Sequence, residues 1–546
     1  MNWVPALSIG GQPEIAIGDL LRQDVDRSMK RSSGISHPTA AMLLTAMDLG
    51  SSVAESDTLL ETARVETSVF DDLLADHVDL IPGTKGSGKT ALYRIFVDFL
   101  APTLLERRKV VIAHGVSGRS DNIFLAFKEQ FESLSESDFV DYWCLYLCSL
   151  AHEQFIKDQR FSAVLDGCNR EIAEFRDAYL RARIPEFPKP MTLRDILAWG
   201  LVVLKSWKPK LTYKAPHDAG QLELTFEGSG APAQPKGAPR IRDDLHMPKY
   251  IEGLVAALDH LLERSGLSLW LMMDRLDELF PRRSSLEKTA LRGLLRTLPY
   301  FQKSRLRVKV FLRDDIFEQV VGGDEGFTAL THVTARTANT LKWSEDQILA
   351  MLVRRIFSSP TLARHFKVKM PQLRSSATYQ RACFKLIFPD TIYGGSRQSS
   401  ALRWIYNHTR DGRGVTTPRD VIDLVTRASE WQRDRYGAEP SGRTERLLSG
   451  EAIRYGMDEL SRRKRTHFLE AEFPHLWPRI SPLVGGGTEY SEGALQRLFG
   501  KNVKAVVSDL ESVGVLYKTS RAGRPSYKVP FLYRRGLEVS QRYVSV

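Results

Sequence analysis

Cysteine is scarce in this chain. Four thiols among 546 residues, Cys144, Cys148, Cys168 and Cys383, are too few for a disulfide-built scaffold and fit a reducing cytoplasm. Cys144 and Cys148 stand one helical turn apart, but no His or Cys at metal-site spacing accompanies them, so they read as buried free thiols. No apolar run reaches the roughly 20 residues that a membrane-spanning helix needs. The first residues lack the basic stretch and apolar segment of a secretory leader, so neither a leader nor a membrane partner is expected. Signatures of a small-substrate pocket, or of a nuclease, protease or deaminase effector, are also missing. What remains is ordinary globular material. The hydrophobic content is 42%, ample for buried cores, and at about 150 residues per domain the length suggests three or four domains. The net charge of +11 hints at a polyanionic partner.

The chain is organised around Gly83-Thr-Lys-Gly-Ser-Gly-Lys-Thr90, two glycines with four residues between them followed by Lys and Thr. That spacing reads as a phosphate-binding loop. Residues 78–81 before it form a short apolar run suited to a buried strand. Leu92, Ile95, Phe96, Phe99 and Leu100 after it fall on one helical face. Gly83, Gly86 and Gly88 let the backbone curl so that its N–H groups, including those of Thr84, Lys85 and Ser87, point inward. The helix starting near Lys89 aims its positive end at the same space. Lys89 would reach the β- and γ-phosphates of ATP, and Thr90 would hold Mg²⁺. A glycine-rich turn with an exposed Lys is the bland competitor.

Further strands are expected over 109–114, ending at His114, and over 267–273, ending at Asp274 with Asp277 and Glu278 just beyond. A carboxylate at such a strand end can hold the Mg²⁺ shell, and a neighbouring one can orient or deprotonate an attacking water. Asp274 is the metal candidate; Asp277 and Glu278 both remain open as the water-activating acid, because Arg275 directly follows the first Asp. A strand over 306–312 ends at Arg313, placed to sense a γ-phosphate or simply to be solvated. A long apolar helix is expected over 139–155. Residues 205–249, with a strand at 222–226 and a Gly/Pro-rich run after it, read as an insertion. Ser344 is a good N-cap for a helix, and Pro418 starts another whose first turn carries Arg419.

From Trp431 onward there are 20 Lys or Arg against 13 Asp or Glu. Three short helices, at 473–483, 491–499 and 502–513, precede a hairpin of 515–517 and 526–529, which is the winged-helix order. Residues 502–508 with Lys504 would enter a major groove of double-stranded DNA, while Arg521, Arg524 and Lys528 hold phosphates. Protein docking is the competing use of such a module.

Together, residues 83–90, 269–278, Arg313, Trp343-Ser344 and Thr417-Pro-Arg419 resemble the AAA+ ATPases and their STAND relatives, in an origin-recognition-type layout. The stretch 50–67 is similar to bacterial P-loop ATPases found near phage-defence genes. The resemblance implies an α/β P-loop NTPase core, a parallel sheet with the phosphate-loop strand central, followed by a helical lid and a C-terminal winged helix. It implies bounds of 1–48 for an N-terminal extension, 49–335 for the core with an insertion at about 160–248, 336–430 for the lid and 431–546 for the winged helix. Arg313 would be a first sensor and Arg419 a second, with Arg292 and Arg296 placed for a trans-acting arginine finger. The implied function is an ATP-binding and ATP-hydrolysing switch with ATP and Mg²⁺ as ligands. It would form a homo-oligomer and act through DNA or an effector protein in anti-phage defence. An initiator- or loader-type DNA-binding ATPase and a nucleotide-bound scaffold with little hydrolysis are the alternatives.

Overall fold

A computed structural model describes residues 34–117, 131–182, 184, 204, 247–280, 284–322, 335–395 and 397–545. The strand expected at 222–226 and the Gly/Pro-rich run lie outside them. The chain forms two compact units, Glu66–Leu341 and Met1–Val65 together with Lys342–Val546. Residues 49–65, read with the core from sequence, thus group with the C-terminal unit.

In Glu66–Leu341 four parallel strands, β1 (Leu80–Gly83), β2 (Val110–Ser117), β3 (Ser268–Asp274) and β4 (Leu306–Arg313), pair in the order β1-β4-β3-β2. The period of two in β3 explains its unbroken apolar run. Leu269, Leu271 and Met273 enter one core and Trp270 and Met272 the other, because both faces of the sheet are covered. Helices Glu136–Ala151, Met247–Ser265 and Ser285–Phe301 supply the first core, and Ser68–Leu74 and the helix after the phosphate loop the second. Helix Glu136–Ala151 starts on a capping box between Ser135 and Asp138. It lies so close to Ser285–Phe301 that a Cβ on Gly293 would sit 2.4 Å from the Cβ of Phe139. Trp143 Nε1 donates to the Ala290 carbonyl across this seam at 2.8 Å. All four cysteines are buried and free.

β1 is the last of the four named strands, but its outer edge is itself paired in parallel with the short segment 336–341 through a bridge between Leu80 and Thr337, so the phosphate-loop strand has a parallel neighbour on each side. Asp79 N donates to Arg336 O at 2.7 Å, Ala338 N to Leu80 O at 2.8 Å and Leu341 N to Pro82 O at 3.0 Å. His114 does not close its strand, contrary to expectation. It lies within β2, where the Gln154 side chain accepts from its N–H at 2.9 Å and donates to its carbonyl at 2.7 Å.

At the opposite end of β1 a buried ionic cluster joins strands to segment 336–341. Lys309 is fully buried; its Nζ contacts Asp76, Asp79 Oδ1 (2.8 Å) and the Val78 carbonyl (2.7 Å), and lies 4.9 Å from the Trp270 ring centroid. Arg336 closes the cluster through Asp79 Oδ2 at 2.6 Å.

The other unit has one continuous core. Helix Glu345–Phe357 begins on the capping box of Ser344 and Gln347. Its Arg355 forms a buried ion pair with Asp57 (2.6 Å) and donates to the Leu49 carbonyl (2.7 Å), tying 49–57 to this helix. Helices Pro418–Ala438 and Gly450–Lys464 pack against each other, and the C-terminal module follows: β5 (Gly487–Ser491), helices Glu492–Phe499 and Val503–Ser512, hairpin β6 (Tyr517–Arg521) and β7 (Arg524–Lys528), then β8 (Ser540–Val544), in sheet order β8-β5-β7-β6. The helix expected at 473–483 shrinks to the turns Trp477–Ile480 and Ser481–Leu483, since Pro478 and Pro482 cannot donate within a longer helix. Strands β5 and β8 were not expected.

Candidate functional site

The loop after β1 turns on two left-handed glycines, Gly86 (φ 86°) and Gly88 (φ 99°), conformations that L side chains rarely adopt. Gly83 is constrained by space, since a Cβ there would lie 2.6 Å from Ser87 Oγ and 3.3 Å from Lys89 Cγ. The loop therefore closes into a cradle that only a bare backbone permits. Helix Lys89–Arg94 leaves it and continues as a π-helical stretch, Ile95–Leu100. Leu92, Ile95 and Phe96 are buried as expected, but the wider π turn shifts the register, and Phe99 and Leu100 are only half-buried. Tyr93 packs edge-on to Phe311 of β4 at 5.7 Å, which fixes the helix on the sheet.

Lys89 folds back over the loop, its Nζ donating to the carbonyls of Gly83 (2.6 Å) and Thr84 (3.0 Å). Burial lowers its pKa, opposed by the field of Asp274, Asp277 and Asp314. Asp274, 1% exposed at the end of β3, is raised to about 7 because burial disfavours its charge. A hydrogen bond from Thr90 and the charge of Lys89 work against that rise, and Asp277 adds to it. The sheet register explains this convergence. Gly83 pairs with Arg313 across β1 and β4, and Met273 pairs with Val310 across β3 and β4, so three strand ends meet along one edge.

Asp277 and Glu278 diverge. Arg275, with left-handed backbone (φ 58°), turns back to hold Glu278 Oε1 through Nε at 2.9 Å and Nη2 at 2.5 Å. Asp277 instead accepts from Arg313 Nη1 at 3.5 Å and contributes to the field at both Lys89 and Asp274. Arg313 is itself held by Asp315, through Nε at 3.0 Å and Nη2 at 2.9 Å. Sequence reasoning missed Asp314 and Asp315 as members of this group. The signal was present in the Arg313-Asp-Asp run at the strand end, because an acid two residues past an Arg can hold its guanidinium.

The group fits a nucleotide triphosphate with Mg²⁺. The loop is wound on left-handed glycines and packed too tightly at Gly83 for a Cβ, and the Thr84 hydroxyl and Asp274 Oδ2 are buried with no hydrogen-bond partner within the protein. Among the described residues there is no cluster of three or more His, Cys, Asp or Glu able to hold a metal alone. One carboxylate and one hydroxyl suffice where phosphates complete the shell.

The other predicted residues make contacts of their own. Arg419 belongs to the other unit, where its Nε donates to the Ser52 carbonyl at 3.2 Å. Arg292 is buried, bound to Glu136 at 2.8 Å and to the Val320 carbonyl at 3.3 Å, and Arg296 pairs with the same Glu136. Arg292 is thus an internal tie and is not placed to act in trans. In the C-terminal module Lys504, Arg521 and Arg524 are exposed, while Lys528 is half-buried. The hairpin is less basic than its own sequence indicates. Glu489 on the neighbouring β5 lies 3.3 Å from Arg521 and 3.5 Å from Lys528.

No family model matches the chain, and no curated protein does. Among solved structures the chain is similar to the ORC2 protein of Aeropyrum pernix, solved as ADPNP-ADP complexes, at 14% identity and a TM-score of 0.38, covering 87% of this chain and 92% of that one. It is also similar to a Walker-type ATPase of Pyrococcus abyssi, at 12% identity and a TM-score of 0.34, covering 90% and 98%. At these scores the likeness assigns neither fold nor function. No helix among the described residues is long and apolar enough to cross a membrane.

Proposed function

We propose that this chain is a cytoplasmic ATP-binding and ATP-hydrolysing switch of AAA+/STAND type. The observation that carries the reading is the meeting of Lys89, Asp274, Asp277 and Arg313 at one edge of adjacent parallel strands, beside a loop wound on the left-handed glycines Gly86 and Gly88. Lys89 exchanges the carbonyls of Gly83 and Thr84 for the β- and γ-phosphates, and the loop N–H groups hold the remaining oxygens. Thr90 and Asp274 would hold Mg²⁺, which when bound neutralises charge on the β- and γ-phosphates. Asp277 orients the attacking water and accepts its proton, and Arg313 is positioned by Asp315 to follow the γ-phosphate. Glu278, already bound to Arg275, is the weaker candidate for the acid. Arg419 acts as a second sensor, reporting nucleotide state to the unit that carries it.

In this reading the C-terminal module is a winged helix that contacts double-stranded DNA or a partner protein, with Lys504, Arg521, Arg524 and Lys528 on phosphates. The helices before it form a lid, the active state is a homo-oligomer, and an effector partner supplies the output in anti-phage defence. A second reading, an initiator- or loader-type DNA-binding ATPase whose nucleotide locks a clamp, is favoured by the exposure of Lys504, Arg521 and Arg524. Measuring ATP turnover and particle size together, with and without duplex DNA, separates the two. A switch assembles with nucleotide alone, whereas a loader assembles only on DNA. Absence of turnover in every condition would leave neither standing.

A further inference from the structure

In the unit that carries the C-terminal module, helices Pro418–Ala438 and Gly450–Lys464, with the π-helical continuation Arg465–Glu470, line a groove of about 710 Å³. Its aromatic floor is Trp431 and Tyr455, with ring centroids 5.7 Å apart and planes 25° from parallel. Tyr455 is 40% exposed, among the most exposed large apolar side chains described. The Arg435 guanidinium lies 5.2 Å from the Trp431 ring centroid. The rings are held in place by backbone packing. At the adjacent Gly456 a Cβ would sit 2.3 Å from the Leu424 carbonyl oxygen, so the two helices cannot separate or slide without losing a close contact.

The charges around this floor are unequal in their commitments. Glu430 is bound by Arg427 at 2.7 Å, Asp434 by Arg433 at 3.0 Å, and Glu459 by Arg462. Each acid lining the groove therefore already has a cation. Arg463 and His467, on the same wall, have no acid partner among the described residues. A rigid aromatic face beside an uncommitted guanidinium and an imidazole matches a planar ring that carries an anion. An apolar ligand would leave Arg463 desolvated, and an acidic peptide would leave the ring pair unused.

We propose that this groove binds a free nucleotide, with the base stacked on the outward face of Tyr455, which Trp431 backs from behind, and the phosphate held by Arg463 and His467. The volume falls within the roughly 300–1,000 Å³ range of small-molecule sites and suits one base, sugar and phosphate. Arg463 can grip a phosphate through two parallel N–H donors, and stacking tolerates any base. The site is independent of the phosphate loop, and a nucleoside monophosphate is the probe that separates them, because it lacks the β- and γ-phosphates that Lys89 would reach.

The test is isothermal titration of the full chain with adenosine and guanosine 5′-monophosphate. The expected result is one saturable site per chain that persists in Lys89→Ala and Trp431→Phe. Trp431→Ala should weaken it about tenfold or more, and Arg463→Gln, a surface change that leaves the core intact, by about tenfold. Absence of saturable binding at millimolar monophosphate would overturn the proposal. So would binding indifferent to Arg463→Gln, or binding lost in Lys89→Ala, which would assign it to the phosphate loop. A single-stranded oligonucleotide that binds through Trp431 and Arg463 while the monophosphates do not would also overturn it, by showing that the groove takes a strand.

Discussion

Arg313 Nη1 lies 3.5 Å from the Asp277 carboxylate, while Asp315 holds the other edge of the same guanidinium at 2.9 and 3.0 Å. One arginine therefore joins the acid proposed to orient water to an acid that sequence reading passed over. Of the two acids after β3, Asp277 is the one proposed to act on water, because Glu278 already binds Arg275.

Asp277→Asn should lower ATP turnover by about 10²-fold or more, the scale of a lost general base, while nucleotide affinity changes little. Glu278→Gln should stay within about threefold, since it removes only an ion pair at the surface. Phosphate-release kinetics on the two variants decide this, and the reverse ranking would move the base to Glu278.

Asp315→Asn keeps the shape of the side chain but releases Arg313 from its charged partner. Turnover should fall by roughly 10-fold, as for other residues that orient a functional group, with binding of ATP unaffected. Equal turnover in variant and parent would show that Arg313 needs no such support.

The raised pKa of Asp274 gives a sign that can be checked. Its folded value of about 7 exceeds the ordinary 3.8. Below pH 4 both states are protonated and the group contributes nothing. Between pH 4 and 7 the unfolded chain ionises first, so stability falls as pH rises, and the loss is complete above pH 7. Asp274→Asn should therefore gain stability relative to the parent across that window, by on the order of 4 kcal/mol. Urea unfolding at pH 4.5 and pH 8, without nucleotide or Mg²⁺, measures the difference; a constant offset at both pH values would refute the shift.

Lys309 is buried between Asp76 and Asp79. Lys309→Met should destabilise the protein by about 3 kcal/mol, because it removes one of the two cations that the buried Asp79 carboxylate faces. Adding Asp79→Asn should recover part of that loss. A denaturant midpoint unmoved by the single change would mean that Arg336 alone satisfies both acids.

On the hairpin, Glu489 already screens Arg521 and Lys528. Arg524→Ala should accordingly weaken duplex binding more than Lys528→Ala and reduce the salt slope by about 1. Anisotropy titrations over a range of salt distinguish the two. An unchanged slope in the triple variant of Arg521, Arg524 and Lys528 would assign the hairpin to protein contacts.

Much of the α/β unit was legible in the sequence, because its strands are buried on both faces and so read as short apolar runs ending in polar residues, as at Asp274 and Arg313. The loop was legible because backbone geometry admits few residues besides glycine at Gly86 and Gly88. What escaped depends on contacts distant in sequence. No local pattern tells that Arg292 meets Glu136, that Lys309 is buried with Asp79, or that segment 336–341 covers β1. The π turn at Ile95–Leu100 sets Val97 against the core beside Leu100 and leaves Phe99 off the face that a 3.6-residue period assigns it. Strands β5 and β8 were hidden because they are short, flank glycines and polar residues, and pair with partners known only after folding.

The central claim is that Lys89 and its loop bind the triphosphate end of a nucleotide. It is tested most directly by equilibrium binding of a fluorescent ATP analogue with Mg²⁺ to the parent and to Lys89→Ala. With excess adenosine 5′-monophosphate present to fill the groove at Trp431, the account predicts one saturable site per chain in the parent, competed by unlabelled ATP and weakened at least about tenfold by the loss of a charged phosphate contact in the variant. Equal affinity in the two proteins, or no competable binding in the parent, would contradict it.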